Sequence, residues 1–123
     1  MSNKFPKDFI WGVASSAYQI EGTGQYDMGE SIYDVFCREA CRVIDSSSGE
    51  RACDHYNRYK EDIKLMQSLG IRNYRFSLSW PRVIPDGTGQ ISEKGLDFYD
   101  RLVDCMLEHS ITPYMEFFHW EYP

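Results

Sequence analysis

No stretch of this chain approaches the ~18 consecutive apolar residues of a membrane-spanning helix, and Met1–Phe9 lacks the apolar core of a secretory leader. An Asn-x-Ser/Thr sequon is also missing. These absences predict a cytoplasmic protein without a membrane partner. Like charges never run beyond a pair, and the net charge of -6 is spread along the chain, so no basic stripe exists for nucleic acid. Neither glycine-rich phosphate pattern, G-x-x-x-x-G-K-[ST] or G-x-G-x-x-G, occurs. Cysteine is sparse and irregularly spaced at Cys37, Cys41, Cys53 and Cys105, which reads as free thiols. Cys37-x3-Cys41 and Cys53-Asp54-His55 match no common zinc spacing, because the second ligand pair is lacking. No metal and no cofactor are expected, and the partner should be a small or neutral molecule. What the chain does have is 42% apolar and 15% aromatic content, ample for a packed core.

Phe9 to Ala14 is a short apolar run that suits a strand buried on both faces. Gly22 to Arg51, rich in Gly, Ser and Asp, reads as a long excursion that could wall a pocket, broken by a short helix over Ser31–Arg38. Asp54 is placed to cap a helix in which Tyr56, Tyr59, Ile63 and Met66 share a face and Gly70 supplies a left-handed stop. Asn73–Ser77 follows as a second strand, with turn signals at Pro81, Pro85 and Gly87. Ser92 caps a second helix with Leu96, Tyr99, Val103 and Met106 on one face, and Ile111–Phe118 forms strand three.

Strands two and three begin about forty positions apart, the repeat of parallel βα units in a (β/α)8 barrel. The fold class is therefore α/β, the N-terminal portion of such a TIM barrel with about three βα units. As a finished open sheet these strands would leave two apolar edges and an uncovered face. Residues 1–123 are accordingly expected to be an incomplete part of one barrel domain.

Active sites of parallel barrels lie at the C-terminal ends of the strands. Strand one leads there to Tyr18, Gln19 and Glu21, strand two to Arg75, Ser77 and Trp80, and strand three to His119, Trp120 and Glu121. Amide, imidazole and indole groups side by side suit a sugar, whose hydroxyls need fixed donors and acceptors and whose C–H face needs an aromatic platform.

Five blocks along the chain make this reading specific: Phe5–Gly22, Ala52–Tyr56, Tyr74–Arg82, Gly95–Tyr99 and Phe118–Trp120. In this order they resemble glycoside hydrolase family 1. The resemblance implies retaining hydrolysis of β-glucosides or related β-glycosides by an acid/base and a nucleophilic carboxylate ~5–5.5 Å apart, with both glutamates in motifs beyond Pro123. It places no catalytic carboxylate within this chain. It further implies that Gln19 and His119 hydrogen-bond sugar hydroxyls, that Trp120 shapes the same subsite, and that Arg75 supports the nucleophile by holding it ionised. A 6-phospho-β-glycosidase of the same family is the nearest alternative, and a non-catalytic sugar-binding remnant the alternative of another class. Sugar and aglycone preference and oligomeric state are left open.

Other readings stand beside these. Arg75 could pair structurally with an acid inside the barrel, Trp80 could be core packing, and Glu21 a structural acceptor. Glu116 and Glu121 are poor candidates for a retaining pair, because five residues of strand span ~16 Å and turn the side chains to opposite faces. They also depart from the family, which usually has threonine and aspartate there. A glutamate inside a strand must find a partner or stay protonated, and the sequence leaves the direction of Glu116 open.

Overall fold

The computed structural model describes residues 4–24 and 28–123. Its elements run β1 (Val13–Ala14), α1 (Ala17–Ile20), α2 (Ile32–Arg38), α3 (His55–Ser68), β2 (Asn73–Ser77), α4 (Trp80–Val83), α5 (Glu93–Glu108) and β3 (Thr112–Glu116). The strands form one parallel sheet in the order β1-β2-β3, with Ala14 in register with Arg75 and Ser77 with Glu116. Parallel neighbours joined through helices are the βα arrangement expected.

Alternation along β2 divides the sheet into two faces. Tyr74 and Phe76 are buried with Ile63 of α3, Phe98, Leu102 and Met106 of α5, and Ile111, which is the core. Arg75 lies between them in sequence and is exposed on the opposite face. Residues in register on parallel strands point the same way, so Tyr114 and Glu116 of β3 share the face of Arg75.

Local signals explain most boundaries. Ser31 caps α2 in a capping box: its Oγ accepts from the Asp34 amide at 3.2 Å, while Asp34 accepts from the Ser31 amide at 2.8 Å. Ser92 Oγ accepts from the Gly95 amide at the start of α5. Gly70 ends α3 at φ +76°, a conformation glycine adopts without Cβ strain. The long excursion Gly22–Arg51 is tied back by Tyr18, whose hydroxyl accepts from the Gly49 amide at 3.3 Å and whose ring stacks on Tyr33 at 5.0 Å. A Cβ at Gly49 would lie 2.6 Å from that ring, so the close approach requires glycine. Residues 25–27 of this excursion lie outside the described residues.

Four expectations are corrected. The strand over Phe9–Ala14 contracts to Val13–Ala14, and Phe9, Ile10, Trp11 and Val13 are exposed rather than buried on both faces. Only β2 flanks β1 in the sheet, and upstream of Val13 the ladder gives way to the Asn73 side chain, which donates to the Trp11 carbonyl. Phe5, Phe9 and Trp11 pack instead on one another, with ring centroids 4.6–4.8 Å apart. Asp54 precedes α3 but does not cap it: at φ 58° its side chain swings away from the first-turn amides and accepts from Asn57 Nδ2. On α5 the buried stripe is Phe98, Tyr99, Leu102, Cys105 and Met106, which keeps Tyr99 and Met106 of the expected face but leaves Leu96 exposed and Val103 half-buried. The aromatic stripe wins because Phe98 packs between Tyr56, Tyr59 and Tyr99.

Strand three shortens from Ile111–Phe118 to Thr112–Glu116. Ile111 joins the core, and the last hydrogen bond between the two strands runs from the Leu78 amide to the Glu116 carbonyl. No helix among the described residues is long and apolar enough to cross a membrane.

Candidate functional site

The C-terminal ends of the three parallel strands meet at one edge of the sheet, and two layers of polar side chains gather there. The lower layer is buried. Glu21, after α1, receives Arg82 Nε at 2.9 Å and the Tyr99 hydroxyl at 2.9 Å. Tyr99 in turn accepts from the Ser79 amide at 2.6 Å, and Ser79 Oγ donates to Glu121 at 2.6 Å. Arg82 also donates to the Gly22 carbonyl and lies over the Tyr56 ring at 4.3 Å. The network therefore ties the segments that follow β1, β2 and β3 to α5.

Burial sets the protonation of this layer. It pushes Glu21 above the usual carboxylate value, against the pull of Arg82 and Tyr99, and pushes the Tyr99 hydroxyl well above its own. Glu121 is driven up to about 7 by burial, with Glu21 adding repulsion and Ser79 pulling back.

The upper layer lies on the face of the sheet opposite the helices. Arg75 projects from β2, and its Nη2 lies 2.6 Å from Glu116 Oε1 on β3. The second oxygen, Oε2, lies 2.7 Å from His119 Nδ1. One carboxylate thus joins a guanidinium and an imidazole. The His119 hydrogen bond, helped by Arg75, holds the Glu116 carboxyl below its usual range and keeps it ionised.

Among the residues singled out from sequence, Arg75 and His119 are brought together, with Glu116 between them. Gln19 is exposed on α1; its backbone amide donates to the Ser16 carbonyl, and its side-chain amide bonds to no other described residue. Trp120 is 68% exposed at φ 65°, with its ring 6.3 Å from that of Phe118. A non-glycine residue held in the left-handed region is a local strain that often marks binding positions. Trp80 is half-buried and donates to the Gly87 carbonyl. Glu21 is the structural acceptor that its sequence position allowed for.

The direction of Glu116, open in the sequence, is settled: it points away from the helices and pairs with Arg75, an ion pair of the kind allowed for that arginine. Glu121 turns into the buried layer, so the two glutamates occupy different environments. Arg82 and Tyr99 were not recognised from sequence as buried partners of Glu21. The available signal was an arginine beside Pro81 in a block otherwise rich in small and apolar residues. Among the described residues no group of three or more His, Cys, Asp or Glu side chains could hold a metal ion.

Comparison with known proteins adds independent findings. The sequence profile described as Glycosyl hydrolase family 1 matches residues 1–123. Beta-glucosidase A of Acetivibrio thermocellus is 54% identical over 120 residues, covering 97% of this chain and 27% of the relative. An aryl-phospho-beta-D-glucosidase of Bacillus subtilis is 51% identical, covering 97% of this chain and 25% of that protein. The solved family 1 β-glucosidase of Thermotoga maritima superposes with a TM-score of 0.92 at 50% identity, covering 98% of this chain and 28% of that one. The Thermotoga enzyme has also been solved in complex with noeuromycin. The chain spans about a quarter of the length of these relatives.

Proposed function

Because the chain belongs to glycosyl hydrolase family 1, we propose that it is the N-terminal quarter of a cytoplasmic, retaining β-glycosidase acting on neutral β-glucosides. In this reading residues 1–123 form the first βα units of one (β/α)8 barrel, and the acid/base and nucleophilic carboxylates come from outside them. Gln19 and His119 bind hydroxyls of the sugar, Trp120 offers its face, and Arg75 stands where it can support an ionised nucleophile.

The observation that carries the proposal is the Arg75–Glu116–His119 group on the helix-free face of the sheet, at the strand ends where parallel barrels bind ligands. Its polar groups offer donors and an acceptor in fixed positions, which is what sugar hydroxyls need. Four free thiols suit a reducing compartment.

The similarity to an aryl-phospho-β-glucosidase supports a second reading, hydrolysis of 6-phosphorylated glycosides. Favouring the neutral substrate, the Tyr18-Gln19-Ile20-Glu21 form is more typical of the non-phosphorylated branch. Parallel assays of the complete protein on an aryl β-glucoside and its 6-phosphate distinguish the two. Faster turnover of the neutral substrate is expected, and a clear preference for the phosphate overturns the choice.

A further inference from the structure

Glu116 is the group about which the upper layer is organised, and its chemistry is one-sided. An ionised carboxylate only accepts hydrogen bonds, whereas a guanidinium only donates. Arg75 occupies one oxygen at 2.6 Å and His119 Nδ1 faces the other at 2.7 Å. The bond to Oε2 therefore requires the proton on Nδ1. In the neutral ring this leaves Nε2 bare, as an acceptor. The arrangement is anchored on the sheet, since Arg75 and Glu116 lie on paired strands and His119 follows Glu116 by three positions.

We infer that Glu116 is a positioning residue that holds His119 in the Nδ1–H tautomer, so that Nε2 accepts a hydrogen bond from a hydroxyl of the bound sugar. The inference rests on the β-glycosidase reading for the identity of the ligand, and on the geometry of the trio for the tautomer. Glu116 acts on substrate only through His119, and it fixes Arg75 with the same carboxylate.

The charge-free isostere gives a directional test. Glutamine has one acceptor oxygen and one donor amide group. Arg75 has no acceptor, so it keeps the oxygen, and the amide group turns to His119, where only a bare Nδ1 can receive it. Glu116→Gln should therefore flip His119 to the Nε2–H form and replace the acceptor facing the sugar by a donor.

The experiment uses the complete protein with 15N-labelled histidine, at a pH where the ring is neutral, together with kinetics on an aryl β-glucoside. Wild type is expected to show His119 as Nδ1–H, and Glu116→Gln as Nε2–H. The variant should raise KM roughly tenfold, the scale of one lost hydrogen bond, with a smaller change in kcat. An Nε2–H signal in wild type overturns the inference without any variant. So does an unchanged tautomer, or an unchanged KM, in a variant that unfolds at the wild-type temperature. If wild type shows the Nδ1–H form but hydrolyses no β-glycoside, the functional reading fails and takes the sugar acceptor role with it, while the tautomer assignment survives.

Discussion

Tyr99 and Glu21 lie 78 positions apart, and the tyrosine hydroxyl donates to the buried carboxylate at 2.9 Å while accepting the Ser79 amide at 2.6 Å. One hydroxyl on α5 thereby fixes both the segment after β1 and the segment after β2.

Tyr99→Phe keeps the ring and removes only that hydroxyl. The Ser79 amide and one side of the Glu21 carboxylate then lose a partner in a dry environment, at a cost of about 1–3 kcal/mol. Denaturant unfolding of the protein should show a lower midpoint with an unchanged slope. A variant as stable as wild type would mean that the hydroxyl is not needed there.

Arg82→Met should cost more. It strands Glu21, of which 3% is exposed, without its guanidinium, and removing one partner of a buried pair typically costs about 3–5 kcal/mol. Adding Glu21→Gln to that variant removes the uncompensated carboxylate and should recover part of the loss. A double variant no more stable than the single one would show that the charge is not the source of the cost.

Glu121 makes stability depend on pH in a defined direction. Its carboxyl rises from the ordinary 4.5 to about 7 in the folded protein, so the folded state holds the proton more tightly than the unfolded chain. Stability is then highest below the unfolded value and falls as the pH rises through about 7, by roughly 3 kcal/mol at most. Glu121→Gln should flatten that decline, read from unfolding midpoints at either end of the window. An equally steep decline in the variant would assign the effect to another group.

These predictions concern residues of very unequal legibility. Asn73–Ser77, the stop at Gly70 and the cap at Ser92 could be read because each rests on a signal within a few residues. Asp54 misled because the same residue type that caps helices also tolerates a left-handed backbone, and here the backbone conformation prevailed. The α5 stripe could not be chosen from spacing, since two overlapping sets of apolar residues fit a helix and only packing on Tyr56 and Tyr59 selects one. Strand alternation offered two faces for Glu116, and the partner that identifies its face, Arg75, is supplied by strand pairing that local sequence does not encode. The buried layer was least visible, because Glu21, Arg82 and Tyr99 meet only once α5 docks.

The account rests most heavily on the proposed retaining cleavage of β-glycosides. The direct measurement is time-resolved proton NMR of the sugar released from an aryl β-glucoside by the complete protein, before mutarotation mixes the anomers. The β-anomer appearing first is the predicted result. An α-anomer appearing first, or no sugar released at all, would contradict it.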